Sequence, residues 1–252
     1  MKNSLIVFFL LMSIGLFAQE REAWLRQLEN PSNVNYRLRP ENRLAEFSSY
    51  DFSELLMPKV AFIGYIGKFV RARVTFLSVT KNRDTVDVYN VQGELRFKKD
   101  TYSFRGRLKL EQVREYKKMH FGADSMYKSL GIRSQGIAIG SYEWHENPLV
   151  PFSGCLKGIV TLKWYVDGSG KLCYDDLERL SSDAYCNNQY VGTWTSYGSG
   201  RSLICNWGEH RIPFSKGLDV GDGEFSPSPL YENSGWAKYE GTLPVLRKAN
   251  TP

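Results

Sequence analysis

FVRARVTFLSVTKNRDTVDVYNVQGELRFKKDTYSFRGRLKL, residues 69–110, reads as three β-strands joined by two tight turns. Val70, Ala72, Val74 and Phe76 alternate with Arg71, Arg73 and Thr75. Tyr89, Val91, Gly93, Leu95 and Phe97 alternate with polar residues, and so do Tyr102, Phe104, Gly106, Leu108 and Leu110. A period of two with one apolar face marks a half-buried antiparallel strand; a helix would scatter these residues around its circumference. Turns centred on Asn82-Arg83 and Lys99-Asp100 set Phe76 opposite Tyr89, and Val74, Val91 and Leu108 in one row. The same pairing puts Ala72, Gly93 and Gly106 in a row almost without side chains. Such a row lets strands bend at a barrel corner, or leaves a floor for a ligand.

Outward from the meander, residues 136–146 and 152–166 read as further strands. The second sets Phe152, Leu156, Val160, Leu162 and Trp164 on one face. Asp167-Gly168-Ser169-Gly170 is a hairpin turn that returns through Leu172 to Tyr174 and places Cys173 opposite Trp164. Residues 117–134 read as a long excursion with one helical turn. From residue 183 onward short strands, glycines and aromatics dominate. Gly192-Thr193-Trp194, with Tyr190 just before, resembles the Gly-x-Trp signature that opens the barrel in lipocalin-like proteins. Too few residues follow Trp194 for a complete eight-stranded barrel to begin there, so no binding residue is carried over from that family.

Toward the N-terminus, Val60 to Ile66 is an apolar run of strand length. Residues 20–29 and 51–56 read as short helices, the second capped by Asp51 with Glu54 at capping-box distance. Residues 1–18 have the physics of a secretory signal peptide: Lys2, then an apolar run to Phe17, then the small Ala18. The expectation is an exported chain, periplasmic or extracellular, with no transmembrane helix after removal of that segment. The organisation expected is signal peptide 1–18, helical segment 19–58, β-meander domain 59–182 and Gly/aromatic-rich β extension 183–252. The fold class is mainly β: an antiparallel, barrel-like meander with short N-terminal helices. A net charge of +6 favours acidic partners, and export argues against nucleic acid.

Cys155, Cys173, Cys186 and Cys205 are disulfide candidates in an exported protein. The hairpin separates Cys155 from Cys173 by roughly 30 Å along the strand, beyond the ~7 Å limit for a bridge. That leaves Cys155–Cys186 with Cys173–Cys205, or Cys155–Cys205 with Cys173–Cys186. No metal-binding or cofactor-binding motif is present. The acidic loop Asp219–Glu224 lacks the spacing of a helix–loop–helix calcium site. The outer face of the meander sets Arg71–Glu94–Arg105 beside Arg73–Gln92–Arg107, a basic stripe suited to an anionic envelope lipid or glycan. The leading expectation is therefore an exported non-catalytic binding protein using Arg71, Arg73, Arg105 and Arg107. The alternative is a secreted hydrolase whose site is drawn from His145, Glu146, Glu209, His210 and Asp222. The adjacent pairs His145-Glu146 and Glu209-His210 fall on opposite strand faces, which weighs against it.

Overall fold

The computed structural model describes residues 19–31, 33–237 and 239–241; the expected signal peptide, residues 1–18, lies outside them. Three helices come first: α1 over residues 19–29, α2 at Leu44–Phe47 and α3 at Ser53–Leu56. Asp51 accepts the Ser53 N–H at the entry to α3. Nine strands follow: β1 Ile63–Ile66, β2 Val70–Lys81, β3 Val88–Phe97, β4 Asp100–Glu115, β5 Ser134–Glu146, β6 Gly154–Val166, β7 Leu172–Tyr174, β8 Asn187–Ser196 and β9 Ser202–Glu209. Strands β1 to β6, β8 and β9 form a closed antiparallel barrel, and β9 pairs with β1 to seal it. β7 is a short ninth strand that takes the edge of β6 beyond the point where β8 leaves it. The 183–252 segment thus supplies two barrel strands, and Trp194 of the Gly-x-Trp stretch lies in β8, late in the barrel.

The strands of the meander are where the alternation places them, but their register differs. Asn82 Oδ1 accepts the N–H groups of Asp84 and Thr85, which holds the chain in a wider loop through Asp87. With a bulge at Leu77, Phe76 then faces Gly93, and Lys81 faces Tyr89. The next turn centres on Lys98-Lys99, with Lys98 left-handed at φ 57°, and pairs Phe97 with Asp100. Gly93 therefore faces Phe104, and Gly106 faces Val91 on one side and Trp144 on the other. The expected Ala72–Gly93–Gly106 row does not exist. One methyl and two glycines in a row would leave a void in the wall, whereas interiors pack to crystal-like density. The observed register covers the Gly93 site with the Phe104 ring and the Gly106 site with Trp144, so neither glycine is a floor for a ligand.

The same pairing of glycine with a ring recurs around the barrel. Trp194 lies over Gly154 and the Tyr142 hydroxyl over Gly158 and Gly192, while at Gly64 it is the Cβ of Trp207 that takes the space. Inside, Tyr142 stacks on Trp144 at 4.3 Å and Tyr190 on Trp207 at 4.9 Å, with Phe104 stacked on the other side of Trp144 at 5.0 Å. Leu156, Val160, Leu162 and Trp164 of β6 are buried as expected, but Phe152 sits in the preceding turn and is 82% exposed. Cys173 pairs with Tyr165, one residue from the expected Trp164. A second core forms outside β1, where Ile63 and Tyr65 pack against Leu218, Phe225 and Trp236 of the segment after β9. Both faces of β1 are therefore buried, and its sequence is an unbroken apolar run for that reason.

Gly64 sits at the closing seam, where an added Cβ would lie 2.6 Å from the Trp207 Cβ; Gly198 has open space around it. Gly64→Ala is expected to cost about 1–3 kcal/mol by overpacking, while Gly198→Ala stays within about 0.5 kcal/mol of wild type. Urea unfolding of both variants checks this.

Candidate functional site

The two ends of the barrel differ in chemistry. One is plugged: α2 and α3 drive Phe47, Phe52, Leu55 and Leu56 into the core cluster. Polar contacts fasten the plug. Lys81 Nζ donates to the Ser48 and Tyr50 carbonyls, each at 2.6 Å, and the Phe52 N–H donates to the Tyr89 hydroxyl. The buried Glu209 carboxylate accepts from the Lys59 and Val60 N–H groups, the Asn188 amide and the Tyr174 hydroxyl. With four donors from distant parts of the chain converging on it, Glu209 is a structural anchor.

The other end is open, and four hairpin turns converge on it: residues 67–69, 98–99, 147–153 and 197–201. A hollow of about 300 Å³ enters the barrel there, between Phe97, Tyr102, Phe152 and Trp194, with Lys98 on its rim. Lys98 also lines a neighbouring cleft of about 450 Å³ on the outer wall, together with Arg71, Arg73, Arg96 and Lys99. Arg71 is committed to the segment after β9, donating to the Gly235 carbonyl and lying 5.3 Å over the Trp236 ring. Burial, and after it the Arg73 charge, lower its pKa. Arg73, Arg96, Lys98 and Lys99 form no ion pair among the described residues. Arg73 and Arg96 face each other directly across β2 and β3, a like-charge pair that works against the sheet. Exposed apolar side chains flank the same opening: Leu149 at 89%, Phe152 at 82% and Val150 at 40%.

Glu146 lies beneath the mouth, on β5, opposite Phe104. It is buried, and one carboxylate oxygen accepts from the Gly154 N–H at 2.6 Å and the Trp194 indole at 3.2 Å. The other oxygen is buried with no hydrogen-bond partner among the described residues. Burial raises the Glu146 pKa, and the two hydrogen bonds only partly offset it.

The expected anion site is split. Arg71 and Arg73 belong to the basic cleft, whereas Arg105 and Arg107 do not. Arg73 is level with Arg96 and Thr101. Arg105 is four residues further along β4, roughly 13 Å away at strand rise. Arg105 pairs with His145 and Arg107 with Glu143, and Arg107 borders a groove of mixed charge with Arg21, Glu22 and Glu111. Arg96, Lys98 and Lys99 take their place; the observed register brings them beside Arg73.

The residues of the hydrolase alternative are dispersed. His145 is on the outer wall, Glu146 under the mouth and Glu209 in the plug. His210 packs edge-on against Tyr185 with its pKa lowered to about 4 by burial and by Arg179. Asp222 lies in the loop that wraps Arg211, whose guanidinium binds the Asp219 carboxylate at 2.6 Å and the carbonyls of Gly221, Asp222 and Gly223. The oxygens of that acidic loop thus already hold a cation, an arginine. All four cysteines are free thiols, so neither expected disulfide set forms. Cys155 and Cys205 lie on β6 and β9 with β8 between them, roughly 10 Å at strand spacing. Cys186 precedes β8 at the far end of β6 from Cys155.

Sequence reasoning missed one buried network. His120 Nδ1 lies 3.3 Å from Glu178, the Tyr36 hydroxyl donates to the same carboxylate, and Gln135 donates to Asp175 at 2.9 Å. It ties the excursion after β4 to the N-terminal segment. Nothing in the local sequence pairs these residues. No protein-family model, curated protein or solved structure matches the chain.

The pH dependence of Glu146 is testable. Because its folded pKa is raised above the usual 4.5, its stabilising effect is complete below that value and is lost as pH rises through the folded pKa. Glu146→Gln keeps an acceptor for Gly154 and Trp194 but does not ionise. Its melting temperature is expected to gain on that of wild type as pH increases from about 4.5. Thermal melts over a pH series check this; a constant or shrinking difference would contradict the assignment.

Proposed function

We propose that this chain is a non-catalytic binding protein that engages an anionic lipid at the open end of its barrel. The observation that carries the reading is the shared wall at Lys98: a cleft with four cations lacking acidic partners adjoins an apolar hollow flanked by exposed Phe152. An amphiphile with an anionic head and an apolar body matches both. The turn tips agree with this. Lys68, Lys98, Lys99 and Arg201 are exposed, and the 147–153 turn presents Leu149, Val150 and Phe152 with no charged residue in it. Basic groups beside projecting apolar ones suit an anionic lipid surface, where each cation contributes about 1 kcal/mol. A soluble glycan would use the cations and leave the apolar turn idle. No helix among the described residues is long and apolar enough to cross a membrane, so the reading is one of surface engagement. It extends to an exported protein acting in the periplasm or outside the cell, supported by the N-terminal apolar run alone.

Co-sedimentation with vesicles of anionic or neutral lipid, over a salt series, tests the proposal. Wild type is expected to bind anionic vesicles and to release them as salt rises, since exposed charges are screened over about 8 Å at physiological ionic strength. Arg73→Ala with Arg96→Ala should weaken binding by about 2 kcal/mol, roughly thirty-fold. Phe152→Ser should weaken vesicle binding at every salt concentration. Binding of a sulfated glycan that ignores Phe152→Ser would replace lipid by glycan. Absence of wild-type binding to anionic vesicles at low salt would overturn the reading.

A further inference from the structure

On the outer wall, away from the basic cleft, Glu143 and His145 project from the same face of β5, and Cys155 stands opposite His145 on β6. A carboxylate oxygen, an imidazole nitrogen and the thiol lie within 4.8 Å of one another. We infer that these three side chains bind one zinc-class divalent ion. The donor set decides the class. Thiolate and imidazole favour zinc and its soft or borderline relatives, whereas calcium and magnesium require oxygen. Zinc–ligand bonds of about 2.0–2.3 Å place tetrahedral donors roughly 3.5 Å apart. His145 Nε2 and Glu143 Oε1 are already 3.3 Å apart. The remaining adjustment is about 1 Å at the Cys155 side chain.

Two further contacts distinguish this group from a chance ion pair. The nitrogen of His145 that faces away, Nδ1, is hydrogen-bonded to the Tyr197 hydroxyl at 3.0 Å. The far oxygen of Glu143, Oε2, is held by Lys157 Nζ at 3.1 Å. Each partner takes one atom and leaves the facing pair, His145 Nε2 and Glu143 Oε1, for the ion. That is the outer ring of contacts which fixes ring orientation and ligand direction at metal sites. Thiolate plus carboxylate also neutralises a divalent ion. Three protein donors leave a fourth position for water, as in zinc sites that keep an exchangeable ligand.

The test uses the whole folded chain with Zn²⁺ or Co²⁺ alone. Calorimetry with Zn²⁺ is expected to give one site per chain with micromolar or tighter affinity. Co²⁺ should produce a thiolate-to-metal charge-transfer band together with tetrahedral ligand-field bands. Cys155→Ser should abolish the charge-transfer band, whereas Cys173→Ser should leave it unchanged. His145→Gln and Glu143→Gln should each weaken binding at least ten-fold. Tyr197→Phe, acting only by positioning, should weaken it ten-fold or more without removing the band. Glu143, His145 and Tyr197 are exposed and the two cysteines half-buried, so melting temperatures near wild type confirm folding. Absence of saturable binding, or a band that survives Cys155→Ser, would overturn the inference.

Discussion

Every other feature of this protein depends on one packing constraint: eight strands enclose a space that side chains must fill, and here aromatic rings fill it by lying over glycines. Trp207, its Cβ against Gly64, occupies the β1–β9 seam, where the sheet closes on itself. Trp144 over Gly106 and Phe104 over Gly93 fix the register of the meander. Large rings stacked at 4.3 to 5.0 Å fill the middle of the barrel. A price is visible, since the indole N–H groups of Trp144, Trp164 and Trp207 are buried without a hydrogen-bond partner among the described residues. With the middle packed, ligand chemistry is confined to the open mouth, the turn tips and the outer wall.

What was legible in the sequence follows from the same constraint. A two-residue period states which side chains face in, and it survives any even shift in register. The two meander hairpins are displaced by two and four residues from the simplest turn reading, yet Val74, Val91, Leu95 and Leu108 all remain inside. The turns were not legible, because they are decided by single side chains and dihedrals: Asn82 bonding to the N–H groups ahead of it, and Lys98 in the left-handed region. Each error then passed to the outer face. Arg71 and Arg73 do share one cleft, but the row expected through Arg73 is not the observed one, since Arg96 rather than Gln92, and Thr101 rather than Arg107, lies level with it.

The sites on β5 and β6 show the complementary case. Glu143 and His145 two residues apart already imply a shared face, and His145 beside Glu146 implies opposite ones. Both implications hold, with Glu146 buried under the mouth and His145 on the wall. Adding Cys155 requires the length of the 147–153 turn, which the sequence does not fix. Residues without strand periodicity were harder still. His120, Asp175 and Glu178 meet through loops, and loops carry no repeat from which proximity can be read.

The electrostatics of the open end separate structure from use. In the plug, the two charged groups that fasten it are answered: Glu209 by four donors and Lys81 by two carbonyls. At the mouth, Arg73 and Arg96 are set face to face with Lys98 and Lys99 on the adjoining turn, and no carboxylate forms an ion pair with any of the four among the described residues. Directly opposed like charges weaken a sheet, and the barrel has acids that could have been spent here; Glu94 is two residues from Arg96 on the same strand face. Folding alone therefore gives no reason for this grouping, and the anionic headgroup we propose would, by neutralising several cations at once, relieve that repulsion. The apolar turn beside it points the same way, because exposed Leu149 and Phe152 gain nothing from water and lose nothing by entering the boundary of a lipid layer. The cations and the apolar tip are each unfavourable in isolation, and the anionic lipid we propose would satisfy both.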